Sequence, residues 1–167
     1  GIGALYIRKG VALEPLVSGG KQENGMRAGT ENVLGIVGLG KAAELAIQRI
    51  HEMDRIKRMR DKLEKGIREL MADATLNGDP EALLPNTLNM TLPGIRGESV
   101  VLALDQKGVS LSSGSACRAG SPKPSHALLA MGLSEEEAHC ALRFSLGLGN
   151  TMEEIDRTID LLGEVIR

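Results

Sequence analysis

Aromatic residues are nearly missing from this sequence, which has one Tyr, one Phe and no Trp among its 167 residues. A core must therefore be built from Leu, Ile, Val, Ala and Met rather than from large rings. Long apolar runs are missing too, and none approaches the ~20 residues that a membrane-spanning helix needs. The formal net charge is −2, without a basic cluster that would bind nucleic acid or an anionic membrane surface. We therefore expect neither a nucleic-acid partner nor a membrane.

Cysteine and histidine are also scarce, with two Cys and three His in the chain. Two cysteines do not form a disulfide framework, and no signal-peptide pattern is present, so the sequence predicts a reducing, cytoplasmic compartment. The Cys and His residues do not have the close spacing of zinc ligands, which argues against a structural metal site.

The first 73 residues predict one strand, one loop and one helical region. The opening "GIGALYIRKG" predicts a buried strand over 2–8, and such an apolar start indicates the C-terminal part of a longer chain. The glycine-rich stretch 18–30 predicts a loop. From residue 31 to 73, apolar residues recur at spacings of three and four, which predicts one very long helix or two helices with a break near 49–54. Thr30 is the expected N-cap.

The second half predicts a small α/β domain over 74–167, with three or more short strands separated by helices. The alternation of "NTLNMTL" is typical of a half-buried strand. Capping boxes begin at Ser134 and Thr151. The predicted segments, in chain order, are a strand at 86–92, a helix at 97–107, a strand at 109–112, a helix at 123–132, a strand at 141–147 and a C-terminal helix. The expected domains are 1–30, 31–73 and 74–167, in which 31–73 joins the small domain to the last strand and loop of another domain.

Cys117 is the first candidate for chemistry, in the stretch "VSLSSGSACRAG". A cysteine kept for packing normally lies on an apolar face, whereas this one follows small Ser, Gly and Ala residues. Thiolate is the reactive form, and cations such as Arg118 and His126 would favour it. From these residues alone, an inert loop cysteine is an equally open interpretation of Cys117. For Cys140, we expect a small buried hydrophobe.

Two further segments could bind anions. The stretch "SGGKQENGMRAGTEN" leads a glycine-rich loop into a helix, where backbone N–H groups, the Thr30 hydroxyl and Arg27 could bind phosphate. Arg143 lies in the middle of a predicted strand whose other face is apolar, and its guanidinium suits a carboxylate. A plain capped loop and a solvated arginine are the simpler alternatives.

Five segments in order give this sequence a resemblance that covers nearly the whole chain. The segments "GALYIRKG", "GGKQENGMRAGTENV", "SSGSACRAG", "KPSHALLAMGLSEEEA" and "LRFSLGLGNTMEEID" resemble the C-terminal part of a cysteine desulfurase. These pyridoxal-phosphate enzymes belong to the class V aminotransferase superfamily, and the "SSGSAC" segment resembles the subgroup with a long catalytic loop. The resemblance implies the C-terminal small domain of a fold-type I enzyme.

The resemblance also implies an activity and roles for three residues. The family converts L-cysteine to L-alanine and passes sulfur, as a persulfide, to acceptor proteins, for example in iron–sulfur cluster assembly. Cys117 matches the cysteine that takes the sulfur, and Arg143 matches the arginine that binds the substrate carboxylate. Thr30 matches the threonine that reaches the phosphate of pyridoxal 5'-phosphate in the neighbouring subunit of a homodimer.

Some expected family features differ or are missing. Lys21, Asn24 and Ala28 replace residues that are common in the family's loop. The lysine that binds the cofactor covalently lies in a Ser-x-His-Lys stretch, and no lysine here has that context. We therefore expect this chain to be inactive by itself.

Three alternatives stay open. A related pyridoxal-phosphate lyase, such as a selenocysteine lyase, would be distinguished by comparing the activity with cysteine and with selenocysteine. A non-catalytic interaction module would keep the fold without needing Cys117 or Arg143. A cysteine hydrolase is disfavoured because no His–Asn or His–Asp set accompanies the cysteine.

Overall fold

The computed structural model describes residues 1–113 and 123–167. These residues form two compact units, Gly1–His51 and Glu52–Arg167.

The first unit contains a short 3-10 helix, Gln22–Gly25, and one α-helix, α1 (Val33–Gln48). Residues 1–8 form no strand, so the strand predicted over 2–8 is wrong. A strand needs a neighbouring strand for its backbone hydrogen bonds, and the unit contains none. The apolar residues of this segment are accordingly exposed, including Leu5 and Tyr6.

Helix α1 begins later than the sequence predicts. Its N-cap is Asn32, whose side-chain oxygen accepts a hydrogen bond from the Gly35 backbone N–H at 3.1 Å. The prediction of Thr30 as N-cap is therefore wrong, because a cap must directly precede the first helical residue. None of the residues of α1 is buried.

The helical region is interrupted, which confirms the two-helix alternative. Helix α1 ends at Gln48, the 3-10 turn Ile50–Glu52 follows, and α2 extends over Met53–Leu70. In contrast to α1, α2 buries one stripe of its surface, which includes Ile56, Met59 and Leu63.

The second unit is built on a four-stranded antiparallel sheet in the order β1-β2-β4-β3. Its strands are β1 (Thr75–Leu76), β2 (Thr87–Thr91), β3 (Ser112–Ser113) and β4 (Ala141–Ser145). Its other helices are α3 (Gly97–Asp105), α4 (His126–Ala130), α5 (Glu135–His139) and α6 (Met152–Val165). The α/β class and the strands expected at 86–92 and 141–147 are confirmed. The strand expected at 109–112 forms at Ser112–Ser113 instead, and β1 was not predicted.

One face of the sheet carries the core. Leu88, Met90, Leu142 and Phe144 are buried there and pack with buried side chains of α2, α3 and α6. The helices α2 and α6 approach closely at Gly66, where an added Cβ would lie 2.5 Å from Ile159 Cδ1. This packing fixes the sheet, so that its opposite face can hold polar side chains in defined positions.

Both predicted capping boxes are present. The Ser134 hydroxyl accepts from the Glu137 N–H and the Thr151 hydroxyl from the Glu154 N–H, each at 3.2 Å. Hydrogen bonds from the Asn150 side chain and the Thr151 backbone lower the pKa of Glu154. These caps fix where α5 and α6 begin, on either side of β4.

Candidate active site

Arg143 lies on the face of the sheet opposite the core. Side chains alternate along a strand, so burying Leu142 and Phe144 on one face turns Arg143 to the other. In the sheet register, Arg143 of β4 is paired with Asn89 of β2 on one side and with Ser112 of β3 on the other. Three polar residues thus form a row across three neighbouring strands.

The guanidinium of Arg143 is half-buried and incompletely hydrogen-bonded. Its Nη2 donates to Ser112 Oγ over 3.4 Å, which is a long bond. Its Nε is buried and has no hydrogen-bond partner among the described residues. Within this part of the chain, no acidic side chain forms an ion pair with Arg143. A buried charged donor without a partner is costly, and a carboxylate ligand would satisfy it.

A network of side chains next to Arg143 holds Asn89. Asn77 Nδ2 donates to Asn89 Oδ1 at 2.7 Å and to Thr91 Oγ1 at 2.9 Å, and the Thr91 hydroxyl is 3.2 Å from Asn77 Oδ1. Thr91 is only 2% exposed, so the network is anchored inside the protein. The alternation of residues 86–92 gives no reason to single out Asn89 as a site residue, since only the register places it beside Arg143.

Small and apolar residues cover the Ala141 end of the same face. Ala141 is buried together with Leu128 of α4 and Ala138 of α5. At this end α3 begins at Gly97, where an added Cβ would lie 2.8 Å from the Ala141 carbonyl oxygen. The face therefore changes from apolar at Ala141 to polar at Arg143.

Thr30 lies in the first unit, in the glycine-rich loop. Its side chain is exposed, and no hydrogen bond to its hydroxyl is found within the described residues. Backbone N–H groups of Gly25, Met26, Ala28 and Gly29 are already bonded to oxygens of Lys21, Glu23, Val17 and Gln22 respectively. An anion at this loop would therefore bind to the Thr30 hydroxyl more readily than to a row of free backbone N–H groups.

The two cysteines differ in what the structure describes. Cys117 lies outside the described residues. Cys140 is buried at the end of α5, which confirms its expected role as a small hydrophobe. In the described ranges, no group of His, Cys, Asp and Glu could hold a metal ion, and no helix is long and apolar enough to cross a membrane.

Comparison with known proteins gives the family. The aminotransferase class-V family profile matches residues 1–158. The chain belongs to the class V aminotransferase family. It is 50% identical over 167 residues to a cysteine desulfurase of Gluconacetobacter diazotrophicus and 47% identical over 167 residues to the cysteine desulfurase IscS of Dictyoglomus turgidum. Each alignment covers 99% of this chain but only 42% of the relative, so the chain spans less than half the length of these proteins.

A solved NifS-like protein has a similar structure. It superposes with a TM-score of 0.82 at 38% identity, and the superposition covers 96% of this chain and 41% of that protein. The class V aminotransferase family and the cysteine desulfurase resemblance expected from the five segments are thereby confirmed.

Proposed function

We propose that this chain is part of a pyridoxal-phosphate-dependent cysteine desulfurase that converts L-cysteine to L-alanine. The observation that supports the proposal most directly is the buried Nε of Arg143, which has no hydrogen-bond partner in residues 1–113 and 123–167. It lies in the "LRFS" segment, at the position that the resemblance gives to the carboxylate-binding arginine. In this proposal, Arg143 supplies a charged donor for the α-carboxylate that every amino-acid substrate of the family carries.

Pyridoxal 5'-phosphate fits the polar residues of this chain only in part. The exposed hydroxyl of Thr30 is suited to donate to its phosphate, in the neighbouring subunit of a homodimer. When bound, the cofactor withdraws electrons from the substrate carbon atoms. Since no lysine here has the Ser-x-His-Lys context, the covalent attachment must come from the remainder of the enzyme, and residues 1–167 alone should be inactive.

In the proposed mechanism, Arg143 binds and orients the substrate carboxylate. The Cys117 thiolate then attacks the sulfur atom of L-cysteine and forms a sulfur–sulfur bond. The carbon–sulfur bond breaks, and its electron pair stays with the carbon atom, which takes up a proton to give L-alanine. Cys117 is left as a persulfide, so the sum is L-cysteine plus a thiol giving L-alanine plus a persulfide.

The expected context follows from this chemistry. The persulfide is passed to a sulfur acceptor, such as a scaffold protein for iron–sulfur clusters, in the cytoplasm. The division into 1–30 from the large cofactor domain, 31–73 as the connection and 74–167 as the small domain belongs to the same proposal.

The test uses a full-length chimera, in which residues 1–167 replace the matching segment of the G. diazotrophicus enzyme. After one turnover with L-cysteine, mass spectrometry should find the persulfide on Cys117. Cys117→Ala should keep the cofactor but release almost no alanine, whereas the matched control Cys140→Ala should be nearly as active as the parent. A persulfide on Cys140, or parent activity in Cys117→Ala, would contradict the proposal.

Arg143 has a separate test in the same chimera. Arg143→Ala should weaken transition-state stabilisation by roughly 2–4 kcal/mol, mainly through KM, because a charge-assisted contact is lost. Arg143→Lys should recover only part, since an ammonium lacks the two-pronged guanidinium geometry. Unchanged kcat and KM in both variants would mean that Arg143 does not bind the substrate carboxylate.

A further inference from the structure

We propose that Asn89 is a second hydrogen-bond donor to the substrate carboxylate, and that Asn77 orients it for this role. The inference rests on the proposed function and adds a second residue to the carboxylate site of Arg143. It depends on three features of the sheet: the register of β2 and β4, the bonds that fix the Asn89 amide, and the Arg143 nitrogen that lacks a partner in the part of the chain that the structure describes.

The register places Asn89 directly opposite Arg143. Asn89 of β2 pairs with Arg143 of β4 in the central antiparallel pair of the sheet. Residues opposite each other in such a pair lie on the same face, with Cβ atoms about 4.5–5.5 Å apart. Both side chains are half-buried. They are therefore close enough to contact one small ligand group.

The Asn77 side chain fixes the orientation of the Asn89 amide. Asn77 Nδ2 donates to Asn89 Oδ1 at 2.7 Å, and the Asn77 backbone N–H donates to the Asn89 carbonyl oxygen at 2.9 Å. Asn77 follows β1, which lies on the opposite side of β2 from β4. An amide is planar, with its oxygen and its NH2 group on different sides of Cγ. With the oxygen turned toward β1, the Asn89 NH2 group is free to face β4.

Asn89 and Arg143 thus present donors to the same space. The Asn89 NH2 group and the Arg143 guanidinium only donate, so they cannot bond to each other and need a shared acceptor. Arg143 Nε is already buried without a partner in the described residues, and no bond from Asn89 Nδ2 is found there. A carboxylate has two oxygens with about four acceptor positions and can bridge both residues. Arg143 would supply the positive charge, and the neutral Asn89 amide would add a hydrogen bond of fixed direction.

The experiment measures carboxylate binding in the full-length chimera. L-alanine is the probe, because it keeps the substrate carboxylate but has no sulfur to transfer. The affinity of each variant for L-alanine is measured by calorimetry. KM and kcat for L-cysteine and the thermal unfolding midpoint are measured in parallel. Asn89→Ala should lose about tenfold in L-alanine affinity and raise KM by a similar factor, with less change in kcat.

Two more variants separate ligand contact from a structural role. Asn89→Asp keeps an oxygen that accepts from Asn77 and so should keep the unfolding midpoint. It should nevertheless lose more affinity than Asn89→Ala, since its negative charge repels the carboxylate. Asn77→Ala should lose roughly threefold, because Asn89 remains but is no longer oriented.

The control is Thr87→Ala, on the same strand and face but paired with Ser145 rather than Arg143. It should bind L-alanine as the parent does. Parent affinity and KM in both Asn89 variants would overturn the inference while leaving the proposed function intact. A chimera that does not desulfurate L-cysteine at all would overturn the proposed function, and the inference with it.

Discussion

The helices α1 and α2 follow each other in the chain but use their apolar residues in opposite ways. Helix α1 is the more apolar of the two, yet none of its residues is buried, and Leu34 is 88% exposed. Helix α2 carries many charges, yet Leu63 on its apolar stripe is 1% exposed. The comparison shows that apolar content does not by itself make a core. A stripe at helical spacing must also find another element against which it can pack.

The two units differ in whether a helix has other elements of the same unit to pack against. In Glu52–Arg167, the sheet, α2, α3 and α6 pack around one cluster of buried side chains. In Gly1–His51, a single α-helix, a short 3-10 helix and irregular segments provide no second layer. Stable domains consist of at least two packed layers, because one helix cannot cover its own apolar face. Four predictions test this difference, from the largest expected effect to the smallest.

The largest effect is expected when the units are separated. Residues 52–167 should unfold in one cooperative transition, because they hold the core, whereas residues 1–51 should not, because isolated helices of this length are marginal in water. Circular dichroism during thermal unfolding measures both. A cooperative transition in residues 1–51 would show that the first unit has a core of its own.

Truncating one leucine in each helix compares burial directly. Leu63→Ala should lower the free energy of unfolding by about 2–5 kcal/mol, because it leaves a cavity in the core. Leu34→Ala, the matched change in α1, should stay within about 0.5 kcal/mol. Urea denaturation of residues 1–167 gives both values. Equal losses would remove the distinction between the two helices.

Adding a methyl group to one glycine in each helix sharpens the comparison. Gly66→Ala in α2 should cost roughly 1–3 kcal/mol, because its Cβ would collide with Ile159. The Cβ that Gly38→Ala adds to α1 would meet no atom within 4 Å. Alanine also has the higher helix propensity, by up to about 1 kcal/mol, so the helicity of α1 should rise. Urea midpoints report the cost at Gly66, and the far-ultraviolet circular dichroism signal reports the helicity of α1. A stabilising Gly66→Ala would mean that α2 and α6 are loosely packed.

The smallest effects are expected at the helix N-termini. Thr151→Ala should cost about 1 kcal/mol of unfolding free energy, because α6 packs in the core and loses its cap. Asn32→Ala should reduce the helicity of α1 with little change in the main transition. Urea denaturation and circular dichroism separate these outcomes. If Asn32→Ala lowered the unfolding free energy of the main transition as much as Thr151→Ala does, α1 would be coupled to the core.

The cap of α6 should also depend on pH. The pKa of Glu154 in the folded protein lies below its ordinary value of 4.5, because the Asn150 side chain and the Thr151 N–H bond its carboxylate. Its stabilising contribution is therefore complete above about pH 4.5 and is lost as the pH falls through the folded pKa. Glu154→Gln should narrow the difference in urea midpoint between neutral and acidic pH. An unchanged difference would mean that Glu154 does not contribute in this way.

Local patterns predicted much of the second unit. The alternation in 86–92 located β2, and the Ser134 and Thr151 capping boxes located the starts of α5 and α6, because each pattern acts over a few neighbouring residues. Predictions that needed a distant partner were less accurate. The strand expected at 2–8 has no partner in its unit, and β1, only two residues long, is defined by its pairing with β2.

The sequence by itself determined the family, through ordered segments along the chain, and it identified Arg143 and Thr30 as candidates for binding anions. Only the tertiary structure decided which residues surround Arg143. Asn89, Ser112 and Arg143 are distant in the sequence and meet through the register of three strands. That register depends on burying one face of the sheet, since a shift by one residue would turn Leu142 outward and Arg143 into the core. A property of the whole packed unit therefore positions Arg143 and the polar residues beside it.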